Sequence, residues 1–155
     1  TRYASKKGTD IRFIEMMPIG YGSSFTGMSQ EKIVSLLEER FGRLVPYEGE
    51  PLGNGPCKYY IVKGFQGKIG FISAISHKFC SECNRIRLTS QGYLKTCLQY
   101  TAGRDLREVL RNGGTDEELK EIIKEALSEK PDGHHFREKA KEDDTESLCM
   151  AQIGG

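Results

Sequence analysis

Apolar positions change period several times along the chain, and each change predicts an element. "IRFIEMM" (11–17) alternates and is mostly apolar, which predicts a strand. "PIGYGSSFTG" (18–27) is too polar and glycine-rich to continue it, so a linker or site loop is expected there. Ile33, Leu36, Leu37 and Phe41 then share one helical face, with Ser29 as N-cap and Gly42 as stop, so a helix is predicted over about 30–41. "KYYIVKG" and "KIGFISAI" flank the turn "GFQG", and "NRIRLT" and "YLKTC" flank "SQG", which predicts two hairpins. Leu106, Val109 and Leu110 mark a helix over about 104–111. A second helix is capped at Thr115 with Glu118 completing a capping box; it carries the stripe Leu119, Ile122, Ile123, Ala126 and Leu127, and Pro131 marks its end. The expected fold is α+β: one strand left over from a larger sheet, a small antiparallel sheet with three helices, and a tail.

Composition narrows the function classes. The 155 residues are 29% charged and 37% hydrophobic, enough for a real core. A formal net charge of +1 argues against binding a long nucleic-acid backbone. No apolar run approaches the roughly 18 residues needed to span a bilayer, and no signal-peptide core is present, so no membrane is expected and a cytoplasmic location is. The first residues, "TRYASKKGTD", lack an initiator Met, and a strand there needs neighbours. The chain therefore reads as a piece of a longer protein. The sequence divides into 1–25 (strand and loop), 26–130 (main domain) and 131–155, where "REKAKEDDTE" is nearly free of large apolar residues and is expected to be mobile.

The five cysteines are odd in number and three of them cluster, which fits a secreted disulfide framework poorly and favours metal. Cys80 and Cys83 have the two-residue gap that lets one tight turn aim both sulfurs at a common centre. Cys97 follows after 13 intervening residues, brought back by the Ser90–Gly92 turn. Structural zinc would need a fourth ligand from His77, Cys149, His134 or His135. An iron–sulfur cubane can rest on three thiolates and leave one iron without a protein ligand. Arg85 and Arg87, two apart on an expected strand, share a face and can grip an anion in fork geometry; a solvated strand face is the plain alternative.

"FISAISHKFCSECNRIRLTSQGYLKTCL", with "RFIEMMPIG" upstream and the closing "GG", closely resembles the C-terminal part of the molybdenum cofactor biosynthesis protein A family, the radical SAM GTP 3',8-cyclases. The cysteine segment is the specific part of the resemblance. It implies the C-terminal portion of an incomplete barrel, with Cys80, Cys83 and Cys97 holding the second of two [4Fe-4S] clusters. It further implies that Arg85 and Arg87, and less specifically Arg12, contact GTP, and that Met17 lines the S-adenosylmethionine site. Gly154 and Gly155 resemble the tail that such enzymes insert into the active-site pocket, where only glycine lets backbone approach closely. In the family, S-adenosylmethionine cleaved at a first cluster yields a radical that converts GTP to 3',8-cyclo-7,8-dihydro-GTP. The C-x-x-x-C-x-x-C motif of that first cluster is not in these residues, so this part alone is not expected to turn over. Implied partners are GTP, the N-terminal radical SAM half and the enzyme that next receives the product. A homodimer would cover the apolar face that otherwise closes the barrel.

The rival function is a non-catalytic zinc module built on Cys80, Cys83, Cys97 and a fourth ligand; metal content separates the two. Cys57 and Cys149 have no spacing relation to the trio and read as small core hydrophobes. His77 is expected to make a structural hydrogen bond, and His134 and His135 are expected to be exposed. Met16 and Met17 point to opposite sides of the strand.

Overall fold

The computed structural model describes residues 1–136 and 146–153. The described residues form an α+β protein with four α-helices and two sheets, divided into two compact units. One unit takes Thr1–Met17 and Thr26–Glu82; the other takes Pro18–Phe25 and the chain from Cys83 onward.

The first unit opens on a short helix, α1 (Arg2–Lys7), which the sequence pattern did not announce. Strand β1 (Ile11–Ile14) follows, then α2 (Gln30–Phe41), β2 (Leu44–Pro46), β3 (Lys58–Val62) and β4 (Ile69–Ile72). Sheet order is β1-β4-β3-β2. The expected β3–β4 hairpin forms, and β1 is not solitary: it runs parallel to β4, with Ile11 opposite Ile69 and Phe13 opposite Phe71. Ser29 caps α2 by accepting from the Lys32 N–H, and Gly42 stops it, both as the pattern predicts.

Alternation along these strands sorts the side chains onto two faces. One face carries Phe13, Leu44, Val62, Ile69 and Phe71, which pack with Ile33, Val34, Leu37 and Phe41 of α2. Phe13 stacks on Phe71 with ring centroids 5.5 Å apart. Each side chain of this size that leaves water contributes about 1.5–3 kcal/mol, so this face holds the unit together. The other face carries Arg12, Ile14, Val45, Tyr59 and Ile61, and all but Tyr59 are exposed.

The second unit contains β5 (Arg87–Leu88), β6 (Tyr93–Lys95), β7 (Gly103–Asp105), α3 (Leu106–Arg111) and α4 (Asp116–Ser128). The hairpin around "SQG" forms, but it gains β7 and makes a separate sheet, β5-β6-β7, rather than extending the first. The helix expected from 104 starts at Leu106, because residues 103–105 pair with β6. The Thr115–Glu118 capping box on α4 is present in both directions.

Past α4 the chain is not uniformly solvated. His134, expected at the surface, is buried, with its ring 4.7 Å from that of Phe136; His135 is exposed. Most of "REKAKEDDTE" and both Gly154 and Gly155 lie outside the described residues. Glu146 and Ile153 are buried again. Glu146 pairs with Lys95 of β6, whose Nζ also donates to the Tyr100 carbonyl at 2.7 Å. The Glu146 N–H donates to the Gln99 carbonyl at 2.6 Å. Gly20 lets this segment approach: at φ +51°, any Cβ there would sit 2.9 Å from the Cys149 backbone.

Candidate functional site

The approach to the first cysteine is held by side chains from earlier in the chain. Beyond β4, the Ile75 and Ser76 backbone N–H groups donate to Glu15 Oε2 at 2.8 and 2.9 Å, and Ser76 Oγ adds a third contact at 3.2 Å. Ser73 Oγ donates to Gln30 Oε1. His77 Nδ1 lies 3.2 Å from Ser76 Oγ, the hydrogen bond expected of it, and its exposed Nε2 faces Glu31 at 3.4 Å. A carboxylate receiving two backbone N–H groups fixes a loop that has no ladder of its own. This loop delivers Cys80 to the start of a 3-10 turn, Cys80–Glu82.

Cys80 belongs to the first unit, and Cys83 and Cys97 to the second. All three are free and half-buried. Among the described residues no three Cys, His, Asp or Glu side chains are gathered as a metal site. The donor set still fits a soft metal centre in chemistry: unoxidised thiols on a turn and on loops, outside any strand ladder.

Arg87 opens β5 opposite Lys95, and Arg85 lies two residues before the ladder begins. The pleat therefore does not set the side-chain direction of Arg85, and strand alternation alone does not place it beside Arg87. Its backbone is held another way. Lys130, two residues past α4, donates from Nζ to the Cys83 carbonyl at 2.6 Å and to the Arg85 carbonyl at 3.0 Å. One ammonium thus ties down the chain on both sides of Asn84. Arg85 is exposed and Arg87 half-buried.

Arg12 has a more defined setting. Its Nε donates to the Tyr59 hydroxyl at 2.6 Å, with the guanidinium carbon 5.5 Å from the Tyr59 ring centroid. Burial pushes the Tyr59 phenol above its ordinary pKa, partly offset by the Arg12 hydrogen bond. Burial likewise raises the Cys57 thiol, against the pull of Tyr59 and Arg12. Cys57 is half-buried, not the fully buried small hydrophobe expected. Met17 lies three residues beyond the end of β1, so strand alternation does not orient it; it is half-buried and Met16 exposed.

Sequence pattern did not single out Tyr59, Glu15, Lys130 or the Lys95–Glu146 pair. Their partners lie 45 to 61 residues away, beyond any local period.

Residues 9–136 match the family described as Molybdenum Cofactor Synthesis C. The chain belongs to that family. It is 48% identical over 153 residues to a GTP 3',8-cyclase of Clostridium perfringens (strain SM101 / Type A), covering 98% of this chain and 46% of that protein. A GTP 3',8-cyclase of Pelotomaculum thermopropionicum is 40% identical over 148 residues, 94% of this chain and 44% of the relative. One from Hydrogenovibrio crunogenus is 40% identical over 158 aligned positions, 99% of this chain and 46% of the relative. The chain thus spans a little under half the length of these relatives and matches their C-terminal portion. As a Molybdenum Cofactor Synthesis C chain it carries, among the described residues, neither a closed barrel nor a helix long and apolar enough to cross a membrane.

Proposed function

We propose that this chain is the cluster- and substrate-binding part of a GTP 3',8-cyclase acting in molybdenum cofactor synthesis. The observation that carries the reading is the set of three free thiols, Cys80, Cys83 and Cys97, with Arg85 and Arg87 between the second and third, in a chain whose relatives bear that name. Cys80, Cys83 and Cys97 would hold a [4Fe-4S] cluster, which would supply an iron able to take a ligand from the substrate. Arg85, Arg87 and Arg12 bind GTP by charge-assisted contacts, and Met17 lines the S-adenosylmethionine site. Conversion to 3',8-cyclo-7,8-dihydro-GTP needs S-adenosylmethionine and a first cluster carried elsewhere in the complete protein, so this part is inactive alone. The product passes to the next enzyme of the pathway. The setting is cytoplasmic.

Lys130 and Glu15 support the reading physically, because both immobilise backbone next to the cysteines and arginines without occupying a thiol or a guanidinium. Anaerobic reconstitution with iron and sulfide tests it. The expected product is a brown protein with about four iron atoms per chain, lost in Cys80→Ala, Cys83→Ala and Cys97→Ala. A colourless protein holding stoichiometric zinc would instead establish a structural zinc module.

A further inference from the structure

Arg12, Gly70 and Tyr59 stand in one row across three adjacent strands. Arg12 is opposite Gly70 on β4, and Gly70 is opposite Tyr59 on β3. Facing residues on neighbouring strands lie about 5 Å apart, so residues two strands apart normally cannot meet over an intervening side chain. Here the intervening residue has none. A Cβ on Gly70 would come within 2.5 Å of Cys57 Sγ and 3.0 Å of the Tyr59 ring. The bare glycine is what lets the tyrosine lie across β4 and reach Arg12.

We infer that Tyr59 is a positioning residue for Arg12: by accepting from Nε it fixes the guanidinium so that the two Nη groups are presented together to the substrate. Tyr59 is buried while Arg12 is exposed, so the anchor lies in the fold and the free end of the fork faces outward. With Arg12 Nε engaged on the Tyr59 hydroxyl, the Nη pair can make two parallel contacts to one phosphate. An arginine held this way loses less rotamer freedom when the anion arrives. This inference rests on the reading of Arg12 as a GTP contact.

The test is a double-mutant cycle on GTP affinity in the complete reconstituted protein that carries this chain, using Tyr59→Phe, Arg12→Ala and the pair. Tyr59→Phe is expected to weaken GTP about three- to tenfold, the loss of one hydrogen bond's worth of ordering, and to add nothing in the Arg12→Ala background. Equal loss in both backgrounds would make Tyr59 merely structural and overturn the inference while sparing the Arg12 reading. Unchanged affinity in Arg12→Ala would overturn both. A second measurement needs no variant at position 59. In the wild-type protein the Arg12 Nε–H should exchange with solvent much more slowly than a free guanidinium, with or without GTP. Exchange at the free rate would overturn the inference.

Discussion

Replacing Glu146 by Gln would strip the Lys95 ammonium of its counter-charge in a place where water cannot help. The two side chains are 3% and 5% exposed, and among the described residues the Tyr100 carbonyl is the partner Lys95 would keep. Breaking one partner of a buried pair costs about 3–5 kcal/mol, because the remaining ion pays its desolvation alone. Gln keeps an oxygen for the Leu148 N–H, which Glu146 Oε1 accepts at 2.9 Å, so the change isolates the charge. Urea unfolding followed by circular dichroism at pH 7 should show a loss of that size. Acid supplies an internal control. Burial alone would raise the Glu146 carboxyl, but the Lys95 ammonium and the Leu148 and Ser147 N–H groups hold it below the usual carboxylate range. A depressed native pKa means the unfolded chain binds the proton first, so the pair's stabilisation is complete above about pH 4.3 and drains away as pH falls through the lower native value. Wild type and Glu146→Gln should therefore converge in strong acid, where protonated Glu146 is nearly isosteric with Gln. A difference under about 1 kcal/mol at neutral pH, or one that persists in acid, would show that the segment around Glu146 is not docked through this pair.

Two further outcomes are expected. Arg85→Ala with Arg87→Ala in the complete protein should weaken GTP binding by about 1.5–3 kcal/mol per lost phosphate contact while iron content stays constant; unchanged affinity by equilibrium dialysis would remove both from the site. Thr115→Ala should cost about 0.5–2 kcal/mol in thermal or urea unfolding, since it deletes the side chain that accepts from the Glu118 N–H at 3.2 Å.

Elements whose evidence is local were readable in the chain. Ser29 and Gly42 bound α2, and Thr115 with Glu118 starts α4, because caps act over three or four residues. The two hairpins follow from short turns between β-favouring runs. What escaped is what the chain does at a distance. Nothing near Ile11 says that β1 will lie parallel to β4, some 58 residues on. Lys95 looks like a surface lysine, and Glu146 sits in a highly charged run, yet each is the reason the other can be buried. The cysteines and arginines of the candidate site stood out by residue type and spacing. Their supports, Glu15, Tyr59 and Lys130, are ordinary polar residues marked only by long-range geometry.

The Lys130 grip sets a rule for which changes α4 can accept. Exposed positions on that helix outside its cap can vary at little cost, but inserting or deleting a single residue would rotate everything downstream by about 100° and carry the ammonium off both carbonyls. The helix therefore works as a gauge of fixed length, and indels in it should be far rarer among functional variants than substitutions.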